Sequence, residues 1–480
     1  MPSLSPTIRL NDQSIFWIFF GIVAVLSSLS VYLESPVPIL LPLAFVFTGL
    51  AVMNPHLIFY FFFFLLPFSI EVSLPGGLGT DLPSEPIMVF LMAICFLFLL
   101  KDIGNIKKAA FVHPVSLVII LHLAWIAFSI VFSQDLLVSL KFFLAKLWYV
   151  FPFFFLPLIL FKSEKAFRKI FIFLLIGLTL AMTYVMARHA LTGFAFDEIN
   201  KAVRPIFRNH VNYAIMLVAV FPFLWYIYKT DKRWGKLFFI PLILFYLLAI
   251  YFTYTRAAQL AVLLSVGVYF VIHFRLSKYA LGLSFIILIY GITYLSVENK
   301  YLDFAPNYEK TITHHKFDNL VEATYKMEDI STVERFYRWI AGFYMVKERP
   351  FTGYGPSNFY EQYKAYTVTS YKTYVSDNPE KSGIHNNYLM VAVEQGIPGL
   401  IIMVLLAFLP IIYAEKAYHR LKSFSEKQLV MAAAICFVLI DIVILINDLL
   451  EADKVGPFYF LSASIIVFYS LKTKEKTNQV

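Results

Sequence analysis

Long apolar segments recur along the whole chain and limit the folds that it can adopt. Continuous apolar runs begin at Ile15 and the last one ends at Tyr469. The hydrocarbon core of a bilayer is about 30 Å thick, and a helix of roughly 20 apolar residues crosses it. Strands of a membrane barrel would instead alternate in polarity over about ten residues. The sequence therefore predicts an all-α polytopic membrane protein.

Composition supports this class. Of the 480 residues, 60% are hydrophobic, whereas soluble domains contain roughly 45–50% apolar residues. The formal net charge of +9 comes mostly from short loops between apolar runs, which favours an explanation by membrane topology over nucleic-acid binding. Cys95 and Cys436 both fall inside apolar runs, so we interpret them as core residues that do not indicate a redox compartment.

The apolar runs predict about fourteen transmembrane helices. Candidate spans begin near residues 15, 37, 56, 86, 115, 142, 169, 211, 236, 257, 279, 395, 429 and 456. Basic clusters occur in alternate loops, at residues 101–108, 162–169, 229–236, 275–278, 416–427 and 472–476. Because cytoplasmic loops carry the excess of Lys and Arg, this pattern places both termini in the cytoplasm.

The same pattern divides the chain into four regions. We predict N-terminal transmembrane helices in residues 1–140, and central transmembrane helices in residues 141–296 with a basic outer loop at 188–210. A long outer loop that carries the functional site follows in residues 297–394, and C-terminal transmembrane helices with a cytoplasmic tail complete the chain in residues 395–480.

The long outer loop is polar in an otherwise apolar chain, and it ends in His385-Asn386-Asn387 before a hydrophobic run. An unperturbed imidazole has a pKa near neutrality and can transfer protons, so His385 is our candidate general base. A purely structural histidine stays open as the alternative. Earlier in the loop, Ser331 to Glu334 forms a capping-box pattern that predicts a helix, which Pro350 would end.

Three arginines are candidates for binding an anion. Arg256 lies between two apolar runs with almost no loop, where a guanidinium is costly unless it is paired or functional. Guanidinium groups match phosphate geometry, although a simple interfacial anchor is the alternative. Arg335 and Arg338 lie on the predicted outer helix, and we expect Arg338 to occupy its solvated face.

The outer loop at residues 188–210 is basic, contrary to the usual charge bias. Arg204 and Arg208 precede His210, which begins an apolar run. Phosphate binding at a helix N-terminus would explain this charge, and salt bridges to Asp197 or Glu198 are the alternative.

Lys146 lies about one turn inside a span, where it either faces a cavity or extends to the interface. The acidic residues Asp448, Glu451 and Asp453 have no histidine near them in sequence and precede Lys454, so we expect a solvated loop. The chain contains none of the sequence motifs of common metal or nucleotide sites, and we predict no metal and no cofactor. An enzyme working on the outer face would then need a donor that arrives already activated and lipid-linked.

Three motifs resemble one family. Thr253–Ala258 is similar to an S-x-S-R-G/A element. Arg335-x-x-x-Trp339 with Pro350–Phe359 is similar to R-x-x-x-W followed by P-x-x-G-x-G-x-x-x-F. His385–Leu389 with Glu394–Leu400 is similar to H-N-x-x-L followed by E-x-G-x-x-G-L. In this order they resemble the O-antigen ligase and polymerase superfamily, over roughly Lys141 to Ile412.

The resemblance implies a membrane glycosyltransferase of the GT-C type in the bacterial inner membrane, with twelve spans, so the predicted total is about twelve to fourteen. Such a ligase moves a glycan from undecaprenyl diphosphate to a sugar hydroxyl of lipid A–core on the periplasmic face, by inverting displacement without a metal. His385 would activate the acceptor hydroxyl, and Arg256 and Arg335 would hold the diphosphate. We further predict substrate-binding roles for Arg204, Arg208, His210, Lys146, Asn386 and Tyr354.

Two alternatives stay open. A polysaccharide polymerase of the same superfamily would use a lipid-linked glycan as acceptor. A transporter of lipid-linked glycans would need charged residues deep in several spans, and Asp441 is the clear example here. Asp441 could be a proton site, or it could simply pair with a neighbouring helix. The predicted partners are the glycan donor and acceptor and membrane lipids, with no nucleic acid.

Overall fold

A computed structural model describes residues 12–32, 54–74, 78–101, 108–231, 235–305, 330–378 and 381–477. The chain forms two compact units, residues 1–61 and 62–480. In the first unit, helix α1 (Asp12–Tyr32) exposes large apolar side chains such as Trp17 and Val25, as expected of a helix that contacts lipid. Helix α2 (Pro55–Leu65) begins in this unit. The span predicted near residue 37 lies outside the described residues.

In its described residues, the second unit is a helical bundle with one two-stranded β-sheet. Strands β1 (Ile70–Leu74) and β2 (Leu78–Leu82) pair antiparallel, with Glu71 opposite Asp81. The longer helices are α3 (Ser84–Lys101), α4 (Pro114–Ser129), α5 (Leu136–Val150), α6 (Glu164–Ala190), α7 (His210–Thr230), α8 (Lys236–Tyr251), α9 (Arg256–His273), α10 (Ser277–Ser296), α11 (Ile330–Glu348), α12 (Asn387–Arg420), α13 (Phe424–Val443) and α14 (Gly456–Thr477).

Short helical segments connect or extend these elements. A π-helical turn at Phe151–Phe155 and a helix at Leu156–Leu160 continue α5. Two further short α-helices occur before the outer loop, at Lys108–Phe111 and Ile199–Val203, and one within it, at Phe359–Gln362. The 3₁₀ segments are Leu66–Phe68, Ile130–Phe132, Phe196–Glu198, Val297–Phe304, Tyr363–Tyr366 and Thr369–Tyr371.

Membrane-spanning helices dominate the structure. Within the described residues, eight helical segments are long and apolar enough to cross a membrane, and Phe20–Ser30 of α1, α2 and α8 are shorter apolar helices. Each predicted span start outside residues 33–53 falls at or inside a helix. The predicted class, an all-α polytopic membrane protein, is confirmed. The total of twelve to fourteen spans stays a prediction.

Helix α13 lies at the centre of the bundle, packed against α7, α12 and α14. Three consecutive alanines, Ala432 to Ala434, are buried there, and small side chains let membrane helices approach closely. Further along α13, the Phe437 ring stacks on Tyr459 of α14 with ring centroids 4.3 Å apart. In contrast, α10 exposes apolar side chains on all sides, which suits contact with lipid.

The outer loop folds around α11, which packs against the beginning of α12. Tyr337, Ile340 and Met345 of α11 share a buried cluster with Leu389 and Val393 of α12. The helix ends before Pro350, as predicted. The predicted capping box is wrong, because Ser331 lies inside a helix that has already begun at Ile330.

The glycine motif in α12 serves this packing. The helix is interrupted at Gly396, where φ is 72° and ψ is −178°. At the break, the N–H of Ile397 donates to the Pro350 carbonyl at 2.7 Å, and the N–H of Gly355 donates to the Glu394 carbonyl at 2.9 Å. A Cβ at residue 396 would lie 2.3 Å from the Phe351 carbonyl oxygen. The motif therefore docks the loop after α11 onto α12.

Candidate active site

His385 occupies a fixed turn at the start of α12. Its backbone is left-handed, with φ of 57°. Its N–H donates to Oδ2 of Asp448 at 2.6 Å, and the N–H of Asn386 donates to Oδ1 of the same carboxylate at 2.9 Å. The Asn386 side chain caps α12 by accepting from the N–H of Leu389 at 2.9 Å. The half-buried imidazole is therefore held at the N-terminal end of a span.

Helix α11 fixes the residues that precede His385. The indole N–H of Trp339 donates to the Ile384 carbonyl at 3.0 Å, and Arg338 Nη1 donates to the Gly383 carbonyl at 3.2 Å. Arg338 is 5% exposed, so the prediction of a solvated Arg338 is wrong. The buried carboxylate of Glu334, 3.5 Å from Arg338 Nη2, supplies the counter-charge that permits this burial.

Glu334 is itself satisfied by hydroxyl groups of the loop. Ser376 donates to its Oε1 at 2.8 Å, and the Thr373 hydroxyl donates to the same oxygen. A buried ion pair needs such additional hydrogen bonds to offset its loss of hydration. The Arg338–Glu334 pair thus ties α11 both to the loop at residues 373–376 and to the turn before His385.

The surroundings of His385 keep its imidazole neutral. The pKa of His385 is lowered to about 3, chiefly by burial and in addition by the nearby positive charges of Arg335 and Arg338. Arg338 also contacts this turn directly, through its bond to the Gly383 carbonyl two residues before His385. Arg335 is half-buried, and its Nη1 donates to the hydroxyl of Ser331 at 3.0 Å. A neutral imidazole can accept a proton, and the arginines supply positive charge beside it.

Residues 444–455 form the loop between α13 and α14, called here the acidic loop. The expectation that this loop is solvated is wrong. Asp448 holds the turn at His385, and Asp453 is 7% exposed and accepts from the Ser84 hydroxyl at 2.9 Å. Burial raises the pKa of Asp448 to about 6, against the opposing effect of its two backbone hydrogen bonds. Asp448 lies 63 residues after His385, so local sequence does not indicate this role.

Lys146 points inward and meets the acidic loop. Its side chain is 3% exposed and forms an ion pair with Glu451, so extension to the interface is wrong. Glu451 also accepts from the Asn387 side chain at 3.2 Å, and its carbonyl accepts from the Tyr149 hydroxyl at 2.7 Å. Lys146 therefore helps to link α5, the acidic loop and the start of α12. Its substrate-binding role stays a prediction.

Lys454 connects the acidic loop to the basic loop that contains Arg204 and Arg208. Its ammonium group is buried and donates to the Ser69 carbonyl at 2.8 Å and also to the Ile206 carbonyl. The same group lies 4.1 Å from the centroid of the Phe207 ring. Burial lowers the pKa of Lys454 to about 8, while the carboxylates of Asp453 and Asp81 oppose this change. One loop thus anchors both His385 and the basic loop.

In the basic loop, Arg208 pairs with Glu71 of β1, and its Nε lies 2.6 Å from Oε2 of that carboxylate. The predicted alternative for Arg208, a salt bridge to Asp197 or Glu198, therefore named the wrong partner. Arg204 is exposed, and its carbonyl accepts from the Arg188 guanidinium.

The prediction that His210 begins a helix is confirmed, because it is the first residue of α7. Its Nδ1 lies 2.9 Å from the Asn200 side-chain oxygen. The substrate-binding roles of Arg204, Arg208 and His210 stay predictions.

Arg256 opens α9 directly after a tight turn. Tyr254 in that turn is left-handed, with φ of 54°, and its hydroxyl donates to the Phe194 carbonyl at 2.6 Å. Phe252 stacks on Phe194 with centroids 4.2 Å apart. These contacts place the turn against the loop that follows α6. That Arg256 meets His385 and Arg335 at one bound diphosphate stays a prediction.

Two further predicted residues are buried. Tyr354 is 2% exposed, and its hydroxyl lies 2.7 Å from that of Tyr366, so it packs under α11 and its substrate contact stays a prediction. In the bundle, Asp441 accepts from the Tyr388 hydroxyl of α12 at 3.2 Å. This contact is the pairing with a neighbouring helix that we predict as the alternative to a proton site.

The comparisons with known proteins agree with the motifs. A family model described as O-Antigen ligase matches residues 239–404, a stretch that contains Arg256, Arg335 and His385. The match supports the resemblance to that superfamily and a ligase-like function in general terms. No individually curated protein matched the chain.

Proposed function

From the match of residues 239–404 to the O-antigen ligase family, we propose that this protein is an O-antigen ligase of the bacterial inner membrane. It takes a glycan from undecaprenyl diphosphate and transfers it to a sugar hydroxyl of lipid A–core on the periplasmic face. The charge bias of the loops supports this orientation, with both termini in the cytoplasm.

The observation that carries the proposal is the neutral imidazole of His385 beside Arg335 and Arg338. The imidazole can accept the proton of an incoming sugar hydroxyl. Guanidinium groups near it can bind a diphosphate and stabilise the charge that develops on it as it leaves. Arg335 fills this role in the proposal, together with Arg256 and with additional positive charge from Arg204 and Arg208.

The reaction is a single displacement. The acceptor oxygen forms a bond to the anomeric carbon of the glycan while the bond from that carbon to the phosphate oxygen breaks. The proton of the hydroxyl moves to His385 and then to solvent, and undecaprenyl diphosphate leaves with the electron pair. Attack opposite the leaving group inverts the anomeric configuration.

Donor binding would also prepare the base. The positive charges of Arg335 and Arg338 lower the pKa of His385, and a weakly basic imidazole is a poor general base. A bound diphosphate would partly neutralise these charges and raise the pKa of His385. We therefore expect the donor to bind before proton transfer to His385 becomes effective.

A transfer assay with purified protein tests the function. The donor is an undecaprenyl-diphosphate-linked glycan, the acceptor is either lipid A–core or a second lipid-linked glycan, and a chelator is present throughout. Glycosylated lipid A–core supports the ligase, whereas a ladder of longer lipid-linked chains indicates a polymerase. If neither product forms, the enzyme proposal fails and the transporter gains weight.

Two variants probe the assigned roles. His385→Ala should abolish transfer while the protein remains folded and inserted, and retained transfer would contradict the general-base role. Arg256→Lys keeps the positive charge but loses the planar fork that binds phosphate through two parallel hydrogen bonds. Loss of transfer is expected, and full activity would reduce Arg256 to an interfacial anchor.

A further inference from the structure

A groove of about 560 Å³ opens beside the C-terminal half of α11. We call it the tyrosine groove. Its walls are Tyr344, Lys347 and Glu348 from α11 and Tyr366, Thr367 and Val368 from the loop that faces them. Lys347 follows Arg335 by twelve residues, which corresponds to about 18 Å along the helix axis. The groove is therefore separate from the residues that we assign to the chemistry.

Hydrogen bonds hold the aromatic side chains of the groove in place. The Tyr344 hydroxyl lies 2.9 Å from that of Tyr301, and Tyr344 remains 42% exposed. The Tyr366 hydroxyl lies 2.7 Å from that of Tyr354 and donates to Oε2 of Glu348 at 2.6 Å. These side chains lose little conformational freedom when a ligand binds, because the protein already orders them.

The lining indicates the chemical class of the ligand. Lys347 contributes one positive charge and Glu348 one negative charge, so the groove lacks the concentrated positive charge that a phosphate needs. A carboxylate accepts several hydrogen bonds, and one bond from Tyr366 leaves Glu348 able to accept from hydroxyl groups. Tyrosine offers an apolar ring together with a polar hydroxyl. Sugars, with apolar C–H faces and many hydroxyl groups, match this lining.

We propose that the tyrosine groove is a saccharide-binding subsite of this protein. The proposal rests on the proposed function, since it assigns the groove to a sugar of the glycan donor or of the core acceptor. The separation from Arg335 means that this sugar lies away from the reacting carbon. The groove therefore contributes to binding and to substrate selection, not to the displacement itself.

Direct binding to the full chain in detergent tests the subsite. Two soluble probes are titrated calorimetrically, one the glycan released from the lipid-linked donor and the other the core oligosaccharide released from lipid A–core. The variants are Tyr344→Ala and Glu348→Gln, and the matched control is Lys372→Ala, an exposed residue of the same outer loop. We expect one probe to bind, each groove variant to weaken it about tenfold, and the control to have no effect.

The identity of the probe that binds distinguishes a donor subsite from an acceptor subsite. If neither probe binds, or if both groove variants bind as the wild type does, the proposal is overturned, and the tyrosines are then interfacial side chains of the kind that line membrane surfaces. Binding without transfer in the wild-type protein would contradict the proposed function but not the groove, and transfer without binding would contradict only the groove.

Discussion

The backbone N–H of His385 donates a hydrogen bond of 2.6 Å to Oδ2 of Asp448, a residue 63 positions later in the chain. The second oxygen of the same carboxylate accepts from the N–H of Asn386. Two successive N–H groups bound to one carboxylate orient the turn that carries the imidazole. The ionisation state of Asp448 should therefore control the geometry of the candidate base.

This relationship predicts an acid limit of activity near pH 6. The pKa of Asp448 is raised to about 6 by burial, and below that value its protonated oxygen would confront an N–H donor. The pKa of His385, about 3, is too low to cause a loss of activity near pH 6. We expect kcat/KM for the donor to fall below pH 6 in the wild type, which gives an acid limb in the pH profile. Asp448→Asn should have a lower kcat/KM at pH 7 and no acid limb near pH 6.

Protonation of Asp448 should not unfold the protein. A raised carboxyl pKa means that between about 3.8 and 6 the native state binds more protons than the unfolded state, so this group stabilises the fold as pH falls through that range. The acid limb is thus a loss of activity without unfolding. Asp377→Asn, at an exposed carboxyl of the same outer loop, should retain the limb. A limb that persists unchanged in Asp448→Asn would exclude this role.

The ion pair between Arg208 and Glu71 separates a structural from a functional role for Arg208. Their side chains are 59% and 41% exposed, and such exposed pairs contribute less than about 1 kcal/mol to stability. If Arg208 binds donor phosphate, Arg208→Ala should raise KM for the donor, whereas Glu71→Gln should leave KM unchanged or lower it by releasing the guanidinium. Equal effects of both variants would mean that the arginine acts only through its pair with Glu71.

Several features of this molecule follow from local sequence. Apolar runs of about 20 residues specify helices that cross a bilayer, and the described helices coincide with them. Asn386 before the apolar residues of α12 is a typical N-cap, so the place of His385 at a helix start could be predicted. The end of α11 before Pro350 follows from the missing N–H of proline.

The acidic loop could not be predicted in the same way, because its role depends on residues far away in sequence. Glu451 meets Lys146 across 305 residues, and Lys454 reaches the Ile206 carbonyl across 248. Local sequence contains no trace of such contacts. The burial of Arg338 could not be predicted either. Helical periodicity shows that Glu334 and Arg338 share a face, but it does not show that this face is buried.

The buried pair of Arg338 and Glu334 should be important for the stability of the outer loop. Arg338→Met leaves the Glu334 carboxylate buried without its counter-charge, which costs roughly 3–5 kcal/mol, and removes the donor to the Gly383 carbonyl. We expect a lower thermal midpoint in detergent and faster proteolysis of the outer loop. The double variant Arg338→Met with Glu334→Gln should recover part of the loss. A single variant as stable as the wild type would contradict the observed burial.

The break in α12 at Gly396 yields a prediction with a matched control. Its backbone, with φ of 72° and ψ of −178°, lies in a region that essentially only glycine adopts, at a cost of about 1–3 kcal/mol for other residues. In addition, a Cβ there would lie 2.3 Å from the Phe351 carbonyl oxygen. Gly396→Ala should therefore lower the thermal midpoint and detach the loop that follows α11, as seen by increased proteolysis near Phe351.

Gly282→Ala in α10 is the matched control, because it has open space around the new methyl group and should fold at least as well as the wild type. If both variants were equally stable, the motif glycine would not be required for docking the loop, and a direct contact with substrate would become the better explanation for its place in the motif.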